Sequence, residues 1–242
     1  MQLTPSDRLF VLTGAGVSAE SGLATFRGSG GLWNGHRVED VATPEAWDAN
    51  SALVWRFYSQ RRRDASAAQP NPAHFALAEI EQQLAKANPE NFYLCTQNVD
   101  DLHERAGSRR IHHMHGSLFQ SRCTRPSCEY SAQPFADTAL YEDPDNLPTC
   151  ERCSSPIRPH IVWFGEIPLD MDTIYRELTR SSTLLVVGTS GSVYPAAGFV
   201  DIARHHNVRT IYVGPEEPVN AEAFDKILLG PATKVLPILF SN

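Results

Sequence analysis

Four short apolar runs, each ending at a glycine or a small polar residue, constrain the fold of this 242-residue chain more than any other feature. They occupy 9–13, 92–96, 183–187 and 209–213. Short apolar runs of this kind are typical of strands that are buried on both faces of a sheet. Helical patterns at 72–87 and 196–206 precede the second and the last run. Strands that alternate with helices predict an α/β fold with a parallel sheet and helices on both faces.

The positions that directly follow these runs are Gly14, Gln97, Gly188 and Gly214. Ligands of parallel sheets bind beyond the carboxyl ends of the strands, so these positions predict the place of a ligand site. Two segments, 28–71 and 119–158, interrupt the pattern, and we expect them to form a smaller module beside the sheet. The segments 1–27, 72–118 and 159–242 are then left for the sheet domain.

The overall charge excludes some classes of function. A formal net charge of −7 opposes general nucleic-acid binding, because phosphate binding needs a basic field. The N-terminus lacks the basic-then-apolar layout of a secretory signal, and the most apolar stretch is far too short to span a bilayer. We therefore expect a cytoplasmic, soluble protein without membrane or direct nucleic-acid partners. We also expect it to be a monomer.

The segment GAGVSAESG at 14–22 follows the first predicted strand. Gly14, Gly16 and Ala19 fit the dinucleotide pattern G-x-G-x-x-A, in which glycines let the backbone approach a pyrophosphate at a helix N-terminus. A plain structural turn is the alternative interpretation. The acidic residue that a hydride-transfer enzyme needs roughly 20 positions later is missing, because 25–31 reads as loop. The motif therefore indicates NAD binding, but not in the dehydrogenase manner.

A second motif, TQNVD at 96–100, follows another predicted strand and is itself followed by HHMHG at 112–116. An amide, a carboxylate and a nearby histidine supply orienting hydrogen bonds and a base that titrates near neutrality. A polar network with surface histidines is the alternative. Spacing alone does not decide which of His112, His113 and His115 is catalytic.

Four of the five cysteines form two close pairs, Cys123 with Cys128 and Cys150 with Cys153. Two such pairs can complete a tetrahedral shell of four thiolates around zinc. Four protein ligands leave no open coordination position, so the sequence predicts a structural zinc. We expect the metal to hold together a module that has few apolar residues.

A predicted helix near 51–67 carries one apolar stripe that includes an arginine. Its members are Leu53, Val54, Phe57, Tyr58 and Arg61. Arg61 occupies a position where the pattern favours an apolar residue. It either belongs to a solvated run with Arg62 and Arg63, or it binds a carboxylate together with Tyr58, one turn away.

Taken together, GAGVSAESGLATFR (14–27), TQNVD (96–100), HGS (115–117), the cysteine pairs, VWFGE (162–166) and GTS (188–190) resemble the sirtuin family. The resemblance extends from about residue 9 to the C-terminus. It implies a Rossmann-like domain with a small zinc and helical module. It also implies NAD-dependent removal of acyl groups from protein lysines, with release of nicotinamide and O-acyl-ADP-ribose.

The resemblance assigns roles to individual residues. His115 matches the catalytic base, and Asn98 matches the residue that positions the ribose and water. Residues matched to the NAD site are Gly14, Ala15, Gly16, Ser18, Glu20, Thr25, Phe26, Arg27, Trp33, Gln97, Asn98, Val99, Asp100, Gly188, Thr189, Ser190, Gly214 and Ala232. Residues matched to the segment that pairs with the peptide are Val162, Phe164, Gly165 and Glu166.

Tyr58 and Arg61 match the signature of class III sirtuins, which remove succinyl and malonyl groups. An arginine and a phenol can bind the carboxylate of such groups by charge-assisted hydrogen bonds. Ala42 matches a small residue that leaves the acyl pocket roomy. The resemblance therefore implies removal of acidic acyl groups, and we expect removal of acetyl groups as well.

One position departs from the family pattern. Gly214 stands where sirtuins commonly have an asparagine that contacts the adenosine ribose, and a glycine cannot supply that hydrogen bond. Ala232 matches the usual neighbour of the adenine. Mono-ADP-ribosyl transfer from the same NAD site is the main alternative function. A hydride-transfer enzyme and a non-catalytic zinc-ribbon module are further alternatives.

Overall fold

The computed structural model describes residues 4, 6–25 and 35–240. Its strands are β1 Leu9–Thr13, β2 Phe92–Thr96, β3 Ile111–His113, β4 Gly116–Cys123, β5 Phe135–Ala136, β6 Ile157–Ile161, β7 Thr183–Val187, β8 Arg209–Gly214 and β9 Lys226–Leu229. Its α-helices are α1 Val38–Val41, α2 Pro44–Ala67, α3 Pro72–Ala85, α4 Leu102–Arg105, α5 Glu129–Ala132, α6 Met171–Thr179, α7 Phe199–His205 and α8 Ala232–Phe240.

Six strands form one parallel sheet in the order β3-β2-β1-β7-β8-β9. The chain runs outward from β1 in one direction and from β7 in the other, which is the doubly wound order of a Rossmann fold. The parallel sheet with helices on both faces is thereby confirmed. The strand order reverses between β1 and β7, so the ligand crevice of such a sheet is expected at their carboxyl ends.

Both faces of the sheet are covered, which explains why its central strands are continuously apolar. In β1, Leu9 and Val11 pack in the layer that holds Leu77 of α3 and Leu236 of α8. Phe10 and Leu12 face the opposite layer, with residues of α6 and α7. Alternate side chains of a strand point to opposite faces, and here each face meets helices.

The sequence prediction missed the two edge strands, β3 and β9. Each is only three or four residues long, and neither is fully buried, so neither gives a long apolar signal. As a consequence the strand at 209–213, the last of the four predicted runs, is not the edge strand of the sheet. Gly214 is the final residue of β8, and β9 pairs with it from the outside.

The segment after β1 also differs from the prediction of a helix N-terminus. Two short 3₁₀ turns, Ala15–Val17 and Ala19–Ser21, occupy this place. A 3₁₀ turn of three residues offers too few aligned peptide groups to act as a strong helix dipole. The backbone geometry of the loop, not a helix terminus, therefore shapes this end of the site.

Helix α2 begins earlier than the predicted 51–67. Thr43 caps it by accepting a hydrogen bond from the amide of Ala46 at 3.0 Å, and Pro44 occupies the first turn. The backbone of Asn50 is not helical, and its side chain accepts from the amide of Leu53 at 2.9 Å. Asn50 therefore interrupts the helix and restarts it, which explains why the helical pattern in the sequence begins near 51.

The smaller module consists of α2 and a three-stranded antiparallel sheet in the order β5-β4-β6. The predicted boundaries after 118 and 158 fall inside β4 and β6. Trp55 of α2 is fully buried beside the cysteines, and its indole donates to the carbonyl of Ile157 at 3.2 Å. Within the described ranges, no helix is both long and apolar enough to cross a membrane.

Candidate active site

A cleft of about 460 Å³ lies beyond the carboxyl ends of β1, β2, β7 and β8. This volume is within the range of natural small-molecule sites. The cleft is lined by many of the predicted site residues, namely Gly14, Ala15, Gly16, Ser18, Thr25, Ala42, Tyr58, Arg61, Gln97, Asn98, Val99, Asp100, His115, Val162, Gly188, Thr189 and Ser190. The fold thus gathers predicted site residues that are as far apart in the sequence as Gly14 and Ser190.

Other predicted residues lie elsewhere. Those outside the lining of the cleft are Glu20, Phe164, Gly165, Glu166, Gly214 and Ala232. Phe26, Arg27 and Trp33 fall outside the residues that the structure describes. The lining also includes residues that the sequence analysis did not select, namely Leu23, Ala24, Ile161, Val193, Tyr212, Pro215, Glu216, Glu217 and Val219.

The floor of the cleft is a close crossing of the loops that follow β1 and β7. The amide of Gly16 donates to the carbonyl of Gly188 at 2.8 Å. A Cβ added at Gly16 would lie 2.7 Å from that carbonyl oxygen, and one added at Gly14 would lie 2.8 Å from the Cβ of Thr189. Gly188 also has a φ of +62°. These glycines are needed because the two backbones touch.

The hydrogen bonds of His115 identify its basic nitrogen. Nδ1 lies 3.1 Å from the carbonyl oxygen of Gln97. A carbonyl can only accept, so Nδ1 carries the proton and Nε2 carries the lone pair in the neutral ring. Burial lowers the pKa of His115 below its usual value, although the bond to Gln97 opposes this. The side chain is therefore a neutral imidazole with a free base at Nε2.

The neighbouring histidines are held by structural contacts. His113 donates from Nδ1 to the carbonyl of Asn98 at 3.0 Å and from Nε2 to the carboxylate of Glu104 at 2.6 Å. Burial would lower its pKa, but the Glu104 contact outweighs burial and raises it. His112 lies 3.2 Å from the carbonyl of Leu169. Neither lines the cleft, whereas His115 does.

A buried network behind the cleft orients Asn98. His74 accepts from the amide of Asn71 at Nδ1 (3.2 Å), so its Nε2 carries a proton and can donate to Ser18 Oγ at 3.4 Å. Ser18 also accepts from Asn98 Nδ2 at 3.1 Å and sends its own proton to Asp100 at 3.2 Å. These directions agree with one another. They leave Oδ1 as the acceptor that Asn98 can offer to a ligand.

Asp100 is itself part of this network. Its carboxylate accepts from Ser18 and, at 3.2 Å, from the amide of Leu102. Burial raises its pKa above the usual value, and the two hydrogen bonds work against this shift. The hydrogen bonds from Ser18 and Leu102 therefore fix the position of the carboxylate and the orientation of its two oxygen atoms.

Tyr58 and Arg61 enter the cleft from α2 beside Ala42. Arg61 is only 7% exposed and Arg62 only 1%, so the interpretation of a solvated arginine run is wrong for both. Arg62 is bound within the small module, with Asp137 at 3.3 Å, whereas Arg61 lines the cleft. Burial lowers the pKa of Arg61, but a guanidinium stays charged at neutral pH. The cleft thus contains a buried cation next to a phenol.

Two backbone amides of the segment at 162–166 already donate hydrogen bonds to other parts of the chain. The amide of Val162 donates to the carbonyl of His115 at 2.9 Å, and that of Phe164 donates to Ala42 at 3.0 Å. A peptide that pairs here can use the carbonyl groups of the segment but not these two amides. The carboxylate of Glu166 accepts from Arg158 at 2.8 Å and from Arg122 at 3.1 Å.

At the end of the cleft near β8, Tyr212 explains why position 214 has a glycine where the family commonly has an asparagine. A Cβ at Gly214 would collide with the hydroxyl oxygen of Tyr212, two positions earlier on the same face of β8. That hydroxyl donates to the carbonyl of Thr189 at 3.1 Å, and the Thr189 side chain accepts from Gln97 at 3.2 Å. Tyr212 therefore occupies the space that a side chain at 214 needs.

The four paired cysteines form a candidate metal centre in the small module. All four Sγ atoms lie within 4.8 Å of one another, with Cys123 and Cys153 at 3.5 Å and Cys128 and Cys150 at 3.8 Å. Sulfur atoms about 2.3 Å from a tetrahedral zinc are roughly 3.8 Å apart, so the donor set fits this ion. Because all four ligands come from the chain, the metal has a structural role.

The fold and the cleft define a Rossmann-like protein with a neutral histidine in the cleft at its switch point and a separate cluster of four cysteines. The model of the Sir2 family matches residues 14–195, and the chain belongs to this family. The resemblance to sirtuins is thereby confirmed.

Similar proteins include an NAD-dependent protein deacylase of Caulobacter vibrioides, 50% identical over 232 residues that cover 95% of this chain and 94% of that protein. Another of the same description, from Salmonella typhimurium, is 45% identical over 98% of this chain and 84% of its own. Among solved structures, a Sir2 homologue in complex with NAD is similar with a TM-score of 0.85 and 41% identity, covering 97% of this chain and 89% of that one.

Sequence reasoning missed Trp163, although it lies within the VWFGE motif. Its indole donates to the hydroxyl of Tyr58 at 3.0 Å. It also missed His74, which the Asn-Pro start of α3 places beneath Ser18. For Trp163, the available signal was its place between Val162 and Phe164, which the resemblance had already assigned to the peptide segment. The histidine had no comparable signal, because the capping motif alone explains its position.

Proposed function

We propose that the chain is an NAD-dependent protein-lysine deacylase that removes succinyl and malonyl groups and also acetyl groups. The observation that carries the proposal is one cleft in which His115 and Asn98 lie together with Tyr58 and Arg61. The relatives named deacylases support the activity, and the solved NAD complex supports the co-substrate.

The cleft offers a base and an amide for this reaction. When bound, NAD would supply a ribose carbon at which the acyl oxygen of a modified lysine can form a bond while nicotinamide leaves. His115 can then take a proton from a ribose hydroxyl at Nε2, since its Nδ1 is committed to Gln97. Asn98 can orient the hydroxyl and water through Oδ1, because its Nδ2 is committed to Ser18.

The end of the cleft lined by Tyr58, Arg61 and Ala42, the acyl end, supports removal of acidic groups. Arg61 can pair with a terminal carboxylate, and Tyr58 can donate a further hydrogen bond to it. Ala42, which also lines the cleft, leaves room for a chain longer than acetyl. An acetyl group has no carboxylate to pair with Arg61 but does not clash with it, so we expect both reactions.

The decisive experiment compares acetyl-lysine and succinyl-lysine peptides of one sequence by mass spectrometry, with enzyme and NAD. Wild type should convert both and release O-acyl-ADP-ribose. His115→Tyr should abolish both reactions, and Arg61→Met should lower succinyl turnover about 10- to 100-fold more than acetyl turnover. NAD breakdown without loss of acyl groups would contradict the proposal.

Mono-ADP-ribosyl transfer is the less favoured function. A transferase that modifies unacylated proteins has no use for a buried arginine and phenol at the end of its cleft. The relatives above are also named deacylases. Label from NAD appearing on protein without an acylated peptide would favour the transferase.

A further inference from the structure

Trp163 lies directly behind the acyl end of the cleft. Trp163 is 2% exposed, and it packs with Ala42 and Tyr58 in one cluster. Among the described residues that line the cleft, Tyr58 is present and Trp163 is not. Any effect of Trp163 on the reaction is therefore indirect and does not come from contact with the acyl group.

The hydrogen bond between Trp163 and Tyr58 has only one direction. An indole nitrogen can donate but not accept, so its proton occupies a lone pair of the phenolic oxygen at 3.0 Å. The proton of Tyr58 must then point away from the indole. Because burial raises the pKa of Tyr58 far above its usual value, the phenol keeps that proton at every pH of interest.

Trp163 is itself held from two other sides. The guanidinium of Arg158 lies over its ring at 3.3 Å from the centroid, and its own amide donates to Glu166 at 2.8 Å. Glu166 in turn binds both terminal nitrogens of Arg158 at 2.8 Å each. A cation over an aromatic face is attracted by the ring, and this arrangement fixes the plane of the indole.

We infer that Trp163 is a positioning residue for acyl specificity, which directs the hydroxyl proton of Tyr58 into the cleft so that Tyr58 donates to the carboxylate of an acidic acyl-lysine. The inference rests on the proposed function. Tyr58 and the neighbouring Arg61 then both offer hydrogen-bond donors at the acyl end. A carboxylate can accept from these donors, whereas an acetyl group has no carboxylate to do so. Glu166 and Arg158 act one step further back, by holding the indole.

The test is a double-mutant cycle of Trp163→Phe and Tyr58→Phe, read as kcat/KM for succinyl-lysine and acetyl-lysine forms of one peptide. Phenylalanine keeps an aromatic ring but removes the donor. Trp163→Phe should lower succinyl turnover about 5- to 10-fold, mainly through KM, and change the acetyl value by less than about 2-fold. In the Tyr58→Phe background it should have no further effect on the ratio.

Trp55→Phe is the matched control. It also removes the donor of a buried indole, but the acceptor of that indole is the carbonyl of Ile157. It should leave the ratio of succinyl to acetyl turnover unchanged. If Trp163→Phe does not fold, the same cycle is run with Arg158→Lys, which keeps the indole but removes the planar group above it.

The outcomes separate this inference from the proposed function. A wild-type enzyme that does not remove succinyl groups contradicts the proposed function. If wild type removes them and requires Arg61, but folded Trp163→Phe keeps the wild-type ratio, the inference alone is overturned. An effect of Trp163→Phe that is equally large with and without the hydroxyl of Tyr58 also overturns it, because the tryptophan then acts through packing.

Discussion

The Nδ1 atom of His115 donates to the carbonyl oxygen of Gln97 at 3.1 Å, and this contact leaves Nε2 as the base. Gln97 directly follows β2, and its own amide donates to the carbonyl of Thr13 at 2.9 Å, which extends the ladder between β1 and β2. The orientation of the base is therefore set by the central sheet. A rigid carbonyl acceptor keeps one tautomer without adding a negative charge beside the ring.

The pH dependence of turnover should report the lowered pKa of His115. The neutral ring is the active form, so kcat/KM should be constant above the pKa and fall below it. Because burial lowers that pKa, the midpoint of the acidic fall should lie below about 6.5. Rates on an acetyl-lysine peptide between pH 5 and 8 measure it. In His113→Gln the midpoint should stay in place, and a wild-type midpoint above 6.5 contradicts the assignment.

Two buried histidines, His74 and His103, should make the fold sensitive to acid. Burial lowers the pKa of His74 to about 4 and that of His103 well below its usual value. Their folded pKa lies below the unfolded value, so stability is complete above about pH 6.5 and is lost as the pH falls towards 4.

For His74 the loss between pH 7 and pH 5 amounts to about 2 kcal/mol. Urea unfolding at pH 7 and pH 5 measures it, and the difference between wild type and His74→Gln isolates this residue from the acidic groups. An equal pH dependence in both proteins would falsify the assignment.

Substitution of Gly16 should push apart the two loops that cross beneath the cleft. The added methyl group of Gly16→Ala meets the carbonyl of Gly188 at 2.7 Å, so one loop must move. We expect NAD affinity to fall by about 10-fold or more, consistent with the cost of overpacking. Gly198→Ala is the control, because its new Cβ meets only Tyr194 at 3.6 Å. Calorimetric titration of NAD should show a loss in the first variant and not in the second.

The residues at 212 and 214 should depend on each other. Gly214→Asn alone places its Cβ against the hydroxyl of Tyr212 and should weaken NAD binding. Tyr212→Val combined with Gly214→Asn removes the collision, so the pair should bind NAD better than Gly214→Asn alone. Additive effects of the two substitutions on the dissociation constant would show that these positions do not compete for space.

Removal of the metal should unfold the small module. Cys150→Ser, or prolonged chelation, breaks a four-thiolate shell that ties β4 to the segment before β6. We expect a fall of the melting temperature by roughly 10 °C or more, because losing a structural zinc removes several kcal/mol. Elemental analysis should find about one zinc per chain in wild type. Cys95→Ser, at a cysteine buried in β2 outside the cluster, is the control and should keep the zinc.

The amino-acid sequence by itself determined the features that depend on local spacing. Continuous apolar runs gave the four central strands, since a strand buried on both faces has few polar residues. The two cysteine pairs gave the metal centre, because four thiolates at this spacing suit one tetrahedral ion. The motifs after the strands marked the cleft, since parallel strands bring their carboxyl ends to one edge.

Only the tertiary structure decided the features that depend on distant partners. The edge strands β3 and β9 are short and half-exposed, so they exist through pairing and not through their own pattern. The burial of Arg61, the basic nitrogen of His115 and the collision behind Gly214 each require a contact across the fold.

The direction of the Tyr58 hydroxyl shows the reason most clearly. It is set by Trp163, which lies 105 positions away in the sequence. A hydrogen bond fixes a proton only when its partner is in place. Local sequence therefore specifies which groups are present, and tertiary packing specifies which atom of each group faces the ligand.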